Sequence, residues 1–233
     1  MNEKSLLADR ILTFLGSLEI ASPLPRGIKV LNPYREPSVM QLCKQFYHSF
    51  YHDNSIRRII IGINPGRLGG GLTGIPFTDP VHLEKFCHIK NSLQKKTELS
   101  STFIYEMIAA YGGPEKFYSK FYFSSVSPLG FTREEKNLNY YDDARLQKRL
   151  EPFIFSCMQA QLDFGIDRSV AYCLGEGENF KFLTQLNKQH PFFKTIIPLA
   201  HPRFILQYKS KSKHEYIKHY LEELTITPEK DAS

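Results

Sequence analysis

An amide and an imidazole mark the two stretches of this chain whose residue types could do chemistry. The amide is Asn64, within Arg57-Arg58-Ile59-Ile60-Ile61-Gly62-Ile63-Asn64-Pro65-Gly66-Arg67-Leu68-Gly69-Gly70-Gly71. The imidazole is His201, within Leu199-Ala200-His201-Pro202. Asn64 stands between an apolar β-branched run and Pro65-Gly66, a setting that holds its side chain rigidly over a strand end. An amide is a poor base, so its chemistry is alignment of a reactant rather than removal of a proton. His201, just past another apolar run, can donate a hydrogen bond to an oxygen on which negative charge builds up. Around Asn64, Gly62, Gly66, Gly69, Gly70, Gly71 and Gly74 allow positive φ values and a close approach of backbone to a ligand, and Pro76-Phe77 adds an aromatic face.

A glycine-rich turn after a strand also cradles phosphates, which makes a nucleotide or nucleoside hydrolase the rival reading. The details argue against it. No Gly-Lys-Ser/Thr ends the stretch, and the first glycines after the strand miss the Gly-x-Gly-x-x-Gly register.

Gly62-Ile63-Asn64-Pro65-Gly66 followed by Thr73-Gly74-Ile75-Pro76-Phe77 resembles the first active-site motif of the uracil-DNA glycosylase superfamily. The similarity is closest to the single-strand-selective monofunctional uracil-DNA glycosylase branch and its bacterial relatives. Ser125-Val126-Ser127-Pro128-Leu129 with Asn137-Leu138, the His201 stretch, and Val30-Leu31-Asn32-Pro33-Tyr34 are similar to further segments of that branch, in the same order. The resemblance covers most of residues 25 to 208. It implies a monofunctional DNA glycosylase that hydrolyses the bond between sugar and deaminated base, without cofactor or metal. Asn64 would orient the attacking water and His201 would stabilise the departing base. Phe77 would stack on that base, with Gly62, Ile63, Gly66 and Ser125 completing its pocket. Asp79 is a further carboxylate to consider.

Two departures from the branch bear on substrate. Ser125 stands where the single-strand-selective enzymes have an asparagine that reads the uracil edge in bidentate fashion. A serine hydroxyl cannot make that pair of contacts, so xanthine or hypoxanthine become conceivable substrates beside uracil. After His201-Pro202, a longer wedge is replaced by Arg203-Phe204-Ile205-Leu206, an apolar and cationic tip that could fill the gap left by a flipped base. The expected partner is therefore DNA in single strands or mismatched duplex, where extrusion is cheap. Arg67, Lys209, Lys211 and Lys213, with Arg203, are the expected DNA contacts. A damage binder that has lost turnover is a second rival.

The elements that must hold these residues form an alternating pattern. Helices are expected over 4–20, 38–51, 81–93, 101–111, 143–163 (despite Pro152) and 178–187, with strands at 59–61, 118–126, 168–175 and 195–199. Residues 134–137 read as a solvated loop. Such alternation predicts an α/β fold, a three-layer α/β/α sandwich around a mainly parallel sheet. One domain over 1–233 is expected, with a basic segment from 209 that carries a short helix and frays at its end. Lys and Arg number 30 against 24 Asp and Glu, a net charge of +6 that suits a polyanion. Cys43, Cys87, Cys157 and Cys173 are too dispersed for an iron–sulfur cluster and read as buried free thiols. With neither a signal pattern nor a long apolar run, a cytoplasmic monomer away from membranes is expected.

Overall fold

The computed structural model describes residues 5–225. Helix α1 (Leu7–Ser17) buries the stripe Leu7, Ile11, Leu12 and Leu15, and leads through β1 (Ile28–Leu31) to α2 (Pro37–Phe50), whose first residue is a proline. Strand β2 (Arg57–Gly62) is followed by the short turn α3 (Gly70–Thr73), α4 (Pro80–Cys87), α5 (Leu99–Tyr111) and α6 (Pro114–Tyr118). Next come β3 (Phe121–Ser125), β4 (Gly130–Arg133), β5 (Lys136–Leu138) and α7 (Ala144–Leu162). The chain continues with β6 (Ile166–Leu174), α8 (Glu178–Gln189), β7 (Thr195–Leu199), α9 (Pro202–Tyr208) and α10 (Lys213–Thr225).

The main sheet has the order β3-β2-β6-β7, and every pairing in it is parallel. Side chains of Ile59 and Ile61 point to one face and that of Ile60 to the other, yet all three are at most 1% exposed. Both faces at β2 are therefore covered, as a parallel sheet requires. From β2 the chain crosses to β3 on one side and later to β6 on the other. The crevice at the carboxyl ends beside β2 is thus a switch point of the kind where open α/β sheets bind ligands. Parallel strands share their carboxyl edge, so residues following β2, β3 and β7 must emerge together.

The base of β2 is fixed from below. Arg57, fully buried, makes a two-pronged pair with Asp53, Nη1 to Oδ1 at 2.5 Å and Nη2 to Oδ2 at 3.2 Å, and its Nε donates to the Tyr118 carbonyl. That link ties β2 to the end of α6.

Several elements depart from the sequence expectation. Residues 134–137 are not a loop: β4 and β5 form a hairpin whose two turn residues, Glu134 and Glu135, take φ values of 50° and 58°. Tight hairpins need this left-handed backbone, and no Asn-Gly pair marks the turn in the residue order. The hairpin joins β1 in a second, antiparallel sheet ordered β1-β4-β5. Tyr118 ends a helix rather than opening a strand, and α4 stops at Cys87 because His88 turns left-handed at φ 57°. Pro152 lies on the exposed side of α7, as a proline within a helix is best tolerated. The expected helix before the C-terminus is α10, while the expected frayed end lies outside the described residues. All four cysteines are buried free thiols, each pushed up to about 12 by burial. Among the described residues, no helix is long and apolar enough to cross a membrane.

Candidate active site

Strand β2 ends on Gly62, and the ring of Phe77 lies directly over that glycine. A β-carbon at position 62 would stand 2.5 Å from Phe77 Cζ, so only glycine lets the ring settle on the strand end. Phe77 itself adopts φ 54°, an uncommon conformation for a bulky residue that costs on the order of 1–3 kcal/mol. Its ring packs on Phe123 at 5.2 Å between centroids and faces the His201 ring at 6.4 Å. An aromatic floor is thereby built at the carboxyl edge of the sheet.

Asn64 stands two residues beyond Gly62, with its amide fixed at both ends. Oδ1 accepts from the Tyr140 backbone N–H at 2.9 Å, and Nδ2 donates to the Leu138 carbonyl at 3.2 Å. The segment after β5 thus sets which end of the amide points where. Tyr140 is in turn anchored, its hydroxyl donating to Asn179 Oδ1 at 3.0 Å, while Asn179 Nδ2 donates to the Leu174 carbonyl at the end of β6. Nδ2 also reaches the Pro65 carbonyl at 3.5 Å, so the position left for a water or ligand is the second acceptor site of Oδ1.

His201 is delivered by β7 and caps α9. Its Nδ1 accepts the Arg203 backbone N–H at 3.2 Å, which places the proton of the neutral ring on Nε2. Burial, reinforced by the Arg203 guanidinium, pulls the imidazole down to about 4. At neutral pH the ring is therefore an uncharged donor. The Tyr220 hydroxyl donates to the carbonyl of Ala200, steadying the preceding turn.

A residue that no sequence motif announced stands across the cavity. Glu98, just before α5, is 9% exposed, and its Oε1 meets Arg203 Nη2 at 3.0 Å. Burial pushes this carboxyl up, and Arg203 opposes the shift. The glycine-rich loop closes around it: a β-carbon on residue 69 would lie 1.9 Å from Glu98 Oε2, and one on residue 66 would lie 3.1 Å from Oε1. Asn137 completes this corner, its Oδ1 accepting the Arg67 backbone N–H at 3.1 Å. Of the glycines between 62 and 74, only Gly74 has positive φ, so most of that run answers to close approach rather than to backbone handedness.

These groups open onto one cavity of about 300 Å³. Ile63, Asn64, Gly66, Phe77, Ser125 and His201 line it, with Glu98 on the wall and Arg203, Phe204 and Tyr208 at the α9 side. Gly62 lies beneath Phe77 and does not line it. Two expectations need correction. Ile205 is fully buried and belongs to the core, because the residues after Pro202 form a helix that turns this side chain inward. Asp79 is also fully buried and caps α4: it accepts from the N–H groups of Val81, His82 and Glu98 and from the His82 ring, and it does not line the cavity. Although burial works against its charge, those partners hold its carboxyl below the usual range. Arg67, Lys209 and Lys211 are exposed and stand outside the cavity lining, whereas Lys213 is half-buried and paired with Glu106 at 2.6 Å. Glu98 had no local signal, being a single acid after a polar linker. The run Asn137-Leu138-Asn139-Tyr140-Tyr141 did carry one, in amides alternating with large side chains. Among the described residues, no group of three or more His, Cys, Asp or Glu side chains gathers as a metal site.

Comparisons with a family model and with solved structures agree with each other. The family model described as Uracil DNA glycosylase superfamily matches residues 48–225. The crystal structure of wild-type SMUG2 from Pedobacter heparinus superposes with a TM-score of 0.92 at 47% identity, covering 94% of this chain and 97% of that one. Among curated proteins, none matches.

Proposed function

The chain belongs to the uracil DNA glycosylase superfamily and is a monofunctional uracil-DNA glycosylase of base excision repair, and from its cleft we propose how the bond is broken and which bases are taken. The substrate is DNA, and the target nucleotide must leave the stack to reach the cavity. Its base enters against Phe77, whose ring offers a flat apolar face at the end of β2. As the N-glycosidic bond lengthens, the sugar becomes oxocarbenium-like and the bonding electrons stay with the base. The His201 Nε2–H meets the base oxygen that gathers this charge. Asn64 aligns the water that attacks the sugar. Since that sugar is already electron-poor, the water needs placement more than deprotonation, which an amide can supply.

The observation that carries this reading is the hydrogen bond from the Arg203 N–H to His201 Nδ1, because it leaves a neutral ring with its single donor available to a ligand. Ser125, 5% exposed on the cavity wall, supports a broader choice of base. Its one hydroxyl offers less discrimination than an amide, so deaminated purines are taken alongside uracil. Exposed Arg67, Lys209 and Lys211 contact the phosphate backbone, and single strands or mismatched sites are preferred because extrusion there is cheap.

A gel assay on uracil, xanthine and hypoxanthine in single and double strands tests the whole reading. Asn64→Ala and His201→Ala are expected to lose excision while still binding DNA, and Ser125→Asn is expected to narrow the profile toward uracil. An unchanged profile in Ser125→Asn would remove the role given to that serine.

A further inference from the structure

Phe204 and Tyr208 occupy an unusual place among the aromatic residues of this protein. Of 18 phenylalanines and 13 tyrosines, only these two are largely exposed, at 42% and 66%. They lie one helical turn apart on α9, with ring centroids 5.6 Å apart and planes 46° from parallel, and both border the cavity that holds Asn64 and His201. Ile205, between them in sequence, is fully buried and fastens α9 to the core, so the pair is carried on a fixed support.

The charge around the pair narrows what could cover it. Arg203, which directly precedes Phe204, is turned to Glu98 across the cavity. Rings rather than this guanidinium therefore face a ligand at the α9 rim. Immediately beyond them Lys209 and Lys211 are exposed, which suits a strand whose phosphates run past while its bases turn toward the protein. Aromatic faces beside exposed lysines are the pattern by which single strands are held without regard to sequence.

We propose that Phe204 and Tyr208 form a stacking platform for the nucleobase next in the strand to the one extruded into the cavity. The proposal rests on the glycosylase reading and adds a second base contact to it. In a single strand that neighbouring base has lost a stacking partner on the side of the extruded nucleotide, and the platform replaces it. In a paired duplex the neighbour stays hydrogen-bonded to its complement and gains less.

The test places 2-aminopurine on either side of uracil in a single-stranded oligonucleotide and follows fluorescence and anisotropy for the wild type, Phe204→Ala, Tyr208→Ala, the double variant and Tyr208→Phe. Both side chains are exposed, so the variants are expected to fold normally. The wild type should quench the probe on one side of uracil. Each alanine variant should weaken single-strand binding about 5- to 150-fold and lose part of the quench, Tyr208→Phe should keep both, and binding to undamaged duplex should change much less. Quenching that survives in the double variant, or unchanged single-strand affinity, overturns the proposal. So does a wild-type protein that self-associates in sedimentation while the double variant does not, since the pair is then a contact between copies. Uracil release is scored in the same samples: binding and quenching without release would sink the glycosylase reading alone, whereas normal release with unaffected alanine variants would sink only the platform.

Discussion

The Phe77 ring rests on Gly62, close enough that a β-carbon at position 62 would come within 2.5 Å of Cζ. Because Phe77 already holds a strained backbone, it has little freedom to yield. Gly62→Ala is therefore expected to displace the ring and cost about 1–3 kcal/mol of stability, the usual penalty of overpacking. Excision should suffer through a raised KM, since the displaced ring is the face on which the base is held. Thermal melting with steady-state kinetics checks both, and a wild-type KM in this variant would dissociate the ring from base binding.

His201 should set no pH dependence near neutrality. Its folded-state value of about 4 lies below the ordinary 6.5, so the ring stays uncharged down to mildly acidic pH. Single-turnover release of uracil should show no inflection near 6.5, and His201→Ala should lower the rate by about 10²–10³. The same shift affects stability. The unfolded chain takes up a proton as pH falls through 6.5 and the folded chain does so only near 4, so stability declines as pH falls across that window. Denaturation curves of wild type and His201→Ala between pH 4 and 7 should diverge in this sense.

Exchanging Asn64 for a carboxylate should harm the enzyme even though aspartate is the stronger base. Nδ2 currently donates to the Leu138 carbonyl, and a carboxylate oxygen would face that carbonyl instead. Asn64→Asp is expected to lose about 1–3 kcal/mol of stability and to fall below wild type in excision. Asn64→Ala should lose excision with a smaller change in DNA affinity. A more active Asn64→Asp enzyme would show that alignment is not what the amide contributes.

Glu98 holds Arg203, and releasing that hold should be visible in salt titrations. In Glu98→Gln the guanidinium is free to meet phosphate, so the slope of log affinity against log salt should steepen by about one unit with tighter binding at low salt. Arg203→Ala should cost about 1–3 kcal/mol of stability, because a buried carboxylate loses its partner. Identical slopes for wild type and Glu98→Gln would mean that Arg203 never reaches the strand.

Much of this architecture could be read from residue order, and the exceptions share a cause. The buried strand at Ile59 to Ile61, the strands ending near Ser125 and Leu199, and the long helix through Pro152 declare themselves through local pattern. The convergence of Asn64 and His201 on one cavity was legible because each follows such a strand and precedes a proline. Glu98 was not, since its meaning comes from Arg203 and the Gly66–Gly71 backbone, all distant in sequence. Ile205 misled for a related reason: in an extended tip it would face solvent, and only the helical phase of α9 turns it inward. The Glu134-Glu135 turn carries no glycine or asparagine, so pairing of β4 with β5 and β1, rather than turn chemistry, makes it a hairpin.

The carboxylate enfolded by the Gly66–Gly71 loop also bears on which molecules the enzyme ignores. Deaminated nucleotides circulate in cells as free triphosphates, each carrying several negative charges a short distance from the base. In this cleft the glycines wrap Glu98, which Arg203 already engages, and no Gly-Lys-Ser/Thr cradle stands ready for such a tail. Free dUTP is therefore expected to release its base far more slowly than uracil in a strand, an ordering that a base-release assay on both checks.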